Sequence, residues 1–345
     1  MLLIDASNIK MGGGLELLKL LIYKIEELQI DYKVILNPKV HALANNRENV
    51  IYENVGIFNR RKIYKKILKR YSFENILCFG NFPPPMKIKG VTTYTYLHGP
   101  GLIERSVINR TLWSRFYIFI TSLYLDLLKY NTDFFILQTD LVRRIFLSRY
   151  NVPNNKCLLY PIYDSENLKQ SLKKHVNKIK AKEPNFVYVS LYYPHKNHLN
   201  LLKAWDFLRE ENELTPPKLI LTVQKDHPFS EEIENYKKTG VNVENLGLIS
   251  QEACFKLFAE NKYSIFPSLK ETFGLGLVEA QLMGSKVLAA NLPYATELIE
   301  PSLTFDPNSI DDIVKKVKEA CLDIEIDETK LKIENKLGDF VKLFE

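Results

Sequence analysis

Along the chain, short runs of β-branched and aromatic residues alternate with longer stretches in which apolar positions recur every three to four residues. Runs of the first kind fit strands buried on both faces, and stretches of the second kind fit crossover helices. The alternation therefore predicts an α/β protein built on parallel sheets. In the first half the predicted strands are Leu2–Asp5, Lys33–Asn37, Asn49–Glu53, Ile76–Phe79, Thr92–Leu97, Phe134–Gln138 and Cys157–Tyr160. Leu15, Leu18, Ile22 and Ile25 mark one apolar helix face between them, and Ile63, Ile67 and Leu68 mark another. From Asp164 to Glu183 strand signals stop and Lys, Ser and Asn predominate. A second alternation opens at Asn185, with strands Phe186–Ser190, Lys218–Val223, Tyr263–Phe266 and Lys286–Ala290 and helices Asn197–Arg209, Glu231–Lys238, Gln251–Ala259, Leu277–Met283 and Asp311–Ala320. The expected division is a first domain over 1–163, a linker over 164–184, a second domain over 185–326, and a C-terminal helix over 327–345 for which a return to the first domain is one open course. Both domains read as Rossmann-like, doubly wound units facing across a cleft, and ligands of such sheets sit beyond the carboxyl ends of strands.

Composition agrees with two cores. A chain of 345 residues is long for one hydrophobic core, and 46% hydrophobic against 26% charged residues is a globular balance. Met1 to Asp5 has no basic segment, and its apolar run ends at Asp5, too short for a secretory signal. The most apolar stretch, 116–125, is bounded by Arg115 and Asp126 and falls well short of the about 20 residues of a spanning helix. Cys78, Cys157, Cys254 and Cys321 are dispersed and read as buried thiols of a reducing cytoplasm. The net charge of +6 is unevenly spread. Arg60, Arg61, Lys62, Lys65, Lys66, Lys69 and Arg70 follow one another without an acid, which predicts an acidic surface as neighbour.

Candidate chemistry gathers in loops after strands. After Tyr263–Phe266 comes Pro267-Ser268-Leu269-Lys270-Glu271-Thr272-Phe273-Gly274-Leu275-Gly276-Leu277-Val278-Glu279-Ala280. The glycines let a backbone approach a ligand closely, and the following helix aims free N–H groups at it, so an anion is expected there. Glu271 precedes the helix and Glu279 lies in its early turns, on the face opposite Leu277, Val278 and Leu282; two carboxylates so placed suit two sets of hydroxyls. The alternative is a surface helix with a solvated Glu. Val189 to Asn197 follows the first strand of the second domain and carries Lys196 into a helix N-terminus, where a cation is unfavourable without an anion. His195 and His198 have no third ligand spaced with them, so no metal is expected. In the first half Gly12-Gly13-Gly14 forms a strand-to-helix turn suited to a phosphate or an acceptor, without the acidic partner of a dinucleotide fingerprint. His98 ends strand Thr92–Leu97 and by itself reads as a satisfied loop histidine.

The segment from Pro267 to Ala280, continued by Gly284-Ser285-Lys286-Val287, Glu297 and Phe305-Asp306-Pro307, resembles the C-terminal domain of the retaining GT-B glycosyltransferases (group 1, family 4-like) with their Glu-x7-Glu motif. The resemblance implies that Glu271 bonds hydroxyls of a donor sugar and that the backbone at Phe273, Gly274 and Leu275 holds sugar and phosphates. It further implies that Glu279 bonds the nucleotide ribose, that Lys196 contacts the diphosphate, and that the loop around Leu248 reads the nucleobase through its backbone. Ser190 stands where the family commonly has an arginine, so one expected cation is missing. His98 corresponds to a histidine that bonds the donor sugar, and Gly12, Gly13 and Gly14 lie where acceptor and leaving group meet. The implied activity is transfer of a sugar from a nucleotide sugar to a saccharide hydroxyl, with retention and without cofactor or metal. A lipid-linked acceptor in bacterial surface-polysaccharide assembly, a cytoplasmic location and a peripheral contact of Arg60–Tyr71 with the inner membrane face complete that expectation; nucleic acid is not an expected partner. Two other functions remain open: a sugar-nucleotide epimerase or hydrolase of the same fold, and an idle subunit that binds lipid or a partner.

Overall fold

The computed structural model describes residues 1–10, 12–40, 47–98, 112–176, 182–211, 216–322 and 326–345. Residues 99–111, directly after His98, lie outside the described residues. The chain divides into one unit made of Met1–Asp164 with Glu334–Glu345 and a second made of Ser165–Ile333.

The first unit is a sheet of seven strands, β1 (Leu2–Ala6), β2 (Tyr32–Leu36), β3 (Val50–Tyr52), β4 (Asn75–Cys78), β5 (Thr92–Tyr96), β6 (Phe134–Leu137) and β7 (Cys157–Leu159), in the order β3-β2-β1-β4-β5-β6-β7. Every pairing is parallel. Strand β1 is buried at all five positions, as a central strand covered on both faces must be. Helix α1 (Gly13–Glu27) buries Leu17, Leu18, Leu21, Ile22 and Ile25 on one stripe, and α2 (Arg60–Arg70) buries Ile63, Tyr64 and Ile67. Helices α3 (Leu112–Leu128) and α4 (Asp140–Tyr150) follow; Thr139 caps α4 by accepting from the Val142 N–H. Strand order reverses between β1 and β4, which makes the loops after those strands the expected ligand crevice.

The second unit opens with helix α5 (Ser165–Val176), which corrects the reading of 164–184 as a linker. Polar composition concealed an amphipathic helix: Leu168 is 1% exposed while Glu166, Lys169 and Gln170 face outward. Strand β8 (Glu183–Tyr188) follows, then α6 (His198–Glu211), β9 (Leu219–Leu221), α7 (Phe229–Lys238), β10 (Val243–Asn245), α8 (Gln251–Glu260), β11 (Asn261–Phe266), α9 (Leu275–Leu282), β12 (Lys286–Ala290), α10 (Pro293–Thr296), β13 (Ile299–Glu300), β14 (Leu303–Phe305), α11 (Ile310–Cys321) and β15 (Lys330–Leu331). The main sheet runs β10-β9-β8-β11-β12-β14, all parallel, and its order reverses between β8 and β11. The tail then joins the first unit: Lys336 N–H donates to the Pro161 carbonyl at 2.7 Å. Helix α12 (Leu337–Val341) lays Leu337, Phe340 and Val341 into the core shared by α1 and β1. Cys78 and Cys157 are buried as expected, whereas Cys254 and Cys321 are only half-buried.

Candidate active site

In the second unit the switch-point loops after β8 and β11 are stitched together. Asn197, in the left-handed region at φ 61°, ends the turn Pro194–Lys196. Its side-chain amide donates to the Pro307 carbonyl at 2.8 Å and to the Pro267 carbonyl at 3.2 Å. Leu269 N–H donates to the His195 carbonyl at 2.8 Å. Below them the Tyr188 hydroxyl donates to the Lys196 carbonyl at 3.0 Å and lies 2.8 Å from Ser268 Oγ, while the Tyr294 hydroxyl donates to the Ser268 carbonyl at 2.7 Å. Burial pushes the Tyr188 phenol up to about 12, so it stays a neutral hydrogen-bonding group. Held on this frame, Lys196 Nζ and Glu271 Oε1 meet at 2.6 Å, with the side chains 21% and 15% exposed. Burial works against the ammonium, but the Glu271 carboxylate beside it outweighs that cost and raises its pKa, so the site keeps a fixed cation. Two residues 75 positions apart in sequence are thus one ion pair.

Gly274 caps α9 at φ 80°, ψ 48°, a backbone state that an L side chain adopts only with strain. Phe273 before it is 4% exposed and anchors the loop. Glu279 is 8% exposed, and Leu277, Val278, Glu279 and Ala280 are buried in succession. The alternative of a solvated surface Glu therefore falls away. Lys270, 9% exposed, brings a buried cation into the same loop. Ser190 is also buried, and its N–H donates to Thr222 Oγ1 at 3.0 Å. Leu248 is 62% exposed in the loop after β10, the edge strand, two strands away from β8. His198 packs against Tyr188 at 4.8 Å and Tyr192 at 5.6 Å, and its burial lowers its pKa to about 3; His195 stacks on Tyr193. Among the described residues no three His, Cys, Asp or Glu side chains group as around a metal ion.

In the first unit the loops after β1, β4 and β5 converge. The exposed Gly12 and Gly13 and the half-buried Gly14 open α1. A Cβ at Gly14 would stand 3.1 Å from His98 Nε2, so any larger residue there would press the imidazole by a few tenths of an ångström. His98 N–H donates to Asn81 Oδ1 at 2.7 Å, and Asn81 Nδ2 faces His98 Nε2 at 3.4 Å. Burial lowers the imidazole to about 4, so His98 is neutral at physiological pH. Beneath lies an ionic knot that sequence reading missed. Arg60 Nη2 donates to Asp5 Oδ2 at 2.8 Å and Nη1 to the Pro83 carbonyl at 2.6 Å, while Tyr64 and Ser7 donate to the same carboxylate. Burial alone would raise Asp5, but Arg60 and the hydroxyl donors hold it below the usual carboxylate range. Arg60, 7% exposed, is therefore an internal counter-ion and not part of the basic surface stripe; Lys66 pairs with Glu53 at 2.9 Å.

The glycine turn and His98 thus come together in one unit, and Lys196, Glu271 and the Gly274 cap in the other. Two doubly wound units bearing switch-point sites of this kind are the GT-B glycosyltransferase fold. Sucrose-phosphate synthase from Thermosynechococcus elongatus superposes with a TM-score of 0.70 at 14% identity, covering 93% of this chain and 90% of that one. WaaG, a glycosyltransferase involved in lipopolysaccharide biosynthesis, gives 0.66 at 14% identity over 93% and 90%. The family model described as glycosyl transferases group 1 matches residues 169–336, just under half of the chain. The O-antigen chain mannosyltransferase B of Escherichia coli is 26% identical over 140 residues, 40% of this chain. The match covers 36% of that relative, about a third of its length.

Proposed function

We propose that the protein transfers a sugar from a nucleotide-diphosphate sugar to a hydroxyl of a saccharide acceptor, with retention at the anomeric carbon, in assembly of a bacterial surface polysaccharide of the O-antigen type. The observation that carries this reading is the Lys196–Glu271 pair at the β8/β11 switch point of a group 1 domain. Without ligand the two charges neutralise each other. With a donor present, Lys196 turns to the diphosphate and Glu271 to the sugar hydroxyls, each exchanging one partner of opposite polarity for another. Amides from Gly274 to Leu277 and the N-terminal end of α9 stabilise the phosphates, Glu279 takes the ribose hydroxyls, and the Leu248 loop meets the base. The acceptor hydroxyl attacks on the face from which the diphosphate leaves, and a leaving phosphate oxygen takes its proton. Lys196 then acts by charge, at a place where negative charge grows as the glycosidic bond breaks. On this scheme the chain requires neither a cofactor nor a metal ion. His98, held against the Gly12–Gly14 turn, contacts the donor sugar, and that turn receives the acceptor.

The relative's role in O-antigen chains supports a saccharide acceptor, and a polyprenyl-linked one places the protein at the inner membrane face. Among the described residues no helix is long and apolar enough to cross a membrane. Peripheral contact is supported instead by α2, with its outward lysines, and by α3, where Ile120, Leu123, Leu127 and the following Tyr130 are exposed on one face, Leu127 to 67%. The test is a thermal-shift panel of UDP-, GDP-, dTDP- and CMP-sugars. One nucleotide class is expected to raise the melting point, and Glu279→Ala to weaken its binding by about 1.5–3 kcal/mol through loss of charge-assisted hydrogen bonds. No shift with any member, or a shift untouched by Glu279→Ala, removes the donor site from this loop.

A further inference from the structure

Asn81 is a non-glycine residue at φ 70°, 9% exposed, immediately after the loop turn that leaves β4. Its N–H donates to the Tyr96 carbonyl at 3.2 Å, which pins it to the end of β5. Its side chain then turns onto His98 with both ends of the amide. The His98 backbone N–H needs an acceptor and finds Asn81 Oδ1 at 2.7 Å. This bond fixes which way the amide points, because the reverse orientation would set two donors against each other. The amide nitrogen is thereby left facing His98 Nε2 at 3.4 Å. An amide nitrogen only donates, so in this contact Nε2 is the acceptor when the single proton of the neutral ring sits on Nδ1. Gly14 closes the same edge, since an added Cβ would lie 3.1 Å from Nε2. The ring is flanked by Phe79 at 5.7 Å and Tyr96 at 5.8 Å between centroids. Among the described residues the titratable group packed against it is the Tyr96 phenol, which burial keeps neutral.

We propose that Asn81 is a positioning residue that locks His98 in its neutral Nδ1–H tautomer, so that His98 acts as a hydrogen-bond donor and as neither base nor cation. The role in turnover rests on the reading of His98 as a ligand contact; the tautomer does not. A ligand oxygen that reaches Nδ1, which is buried in this structure, is then met as an acceptor, a sugar hydroxyl or ring oxygen at the donor.

Long-range 1H–15N correlation spectra of the full chain labelled with 15N-histidine test the tautomer, with the His98 signals assigned by their loss in His98→Gln. In the wild type a protonated Nδ1 and an unprotonated Nε2 are expected, unchanged from about pH 5 to 8. Asn81→Asp turns the facing donor into an acceptor, so the proton should move to Nε2 and the ring should begin to titrate in that range. Asn81→Gly, which tolerates the positive φ, should release the ring into a mixture of tautomers. A wild-type ring protonated at Nε2, or spectra unaltered in both variants, overturns the proposal. Kinetics with the panel sugar that gives the largest thermal shift supply the second arm. Asn81→Gly should lower kcat on the order of tenfold to a hundredfold with little change in KM, and should add nothing in a His98→Gln background. If the tautomer is as stated but His98→Gln turns over like the wild type, the ligand contact of His98 is wrong and Asn81 has no part in turnover.

Discussion

Lys196 and Glu271 show how much a single residue's role depends on what supports it. As a motif, Glu271 with its spacing to Glu279 was legible in the sequence, and so was a lysine at an electrostatically awkward helix start. What was not legible is the frame: Tyr188, Ser268, Tyr294 and Asn197 are joined around the pair by hydrogen bonds spanning up to 110 residues. No local pattern announces such contacts. The same holds for Asp5, whose counter-ion Arg60 lies 55 residues on. The chemistry assigned to Lys196 gives a direct expectation for Lys196→Ala. Charge on the diphosphate grows toward the transition state, so the variant should lose kcat more than donor affinity. Steady-state kinetics decide it, and a change confined to KM would leave Lys196 as a ground-state anchor only.

At the scale of elements, α2 carries two kinds of cation that its sequence does not distinguish. Arg60 points inward to Asp5, while Lys62, Lys65, Lys66 and Lys69 lie on the outer stripe, Lys66 being 75% exposed at its side chain. Removing Arg60 strands a buried carboxylate, so Arg60→Ala should destabilise the fold by about 3–5 kcal/mol in denaturant titration. A loss within 1 kcal/mol, roughly the worth of a surface pair, would mean that the knot is solvated. Changing the four lysines to Gln should leave stability nearly intact and abolish salt-sensitive sedimentation with anionic vesicles, since each cation near such a surface is worth about 1 kcal/mol. On the proposed peripheral contact helix α3 acts with α2, since its Tyr117, Leu123 and Leu127 are exposed. If the wild type does not sediment at low salt, the basic face serves an acidic saccharide or a partner protein instead.

For the whole molecule, the strand-and-helix alternation was strong enough to reveal two doubly wound sheets, because parallel strands buried on both faces are nearly uniform in apolarity. The short edge elements β10, β13, β14 and β15, of two or three residues each, left no periodic signal. Helix α5 was hidden by its polar outer face, and the first unit's use of 334–345 depends on Phe340 and Phe344 finding a core laid down more than 300 residues earlier. On the proposed function these two units make a sugar-transferring enzyme. It is tested most directly by incubating the protein with the nucleotide sugar selected by thermal shift, with and without a saccharide acceptor, and following nucleoside diphosphate release together with the anomeric configuration of the product by NMR. The expected result is release that depends on the acceptor and matches formation of a glycosidic bond with the donor's configuration retained. Equal release without acceptor, or a product of inverted configuration, would contradict it.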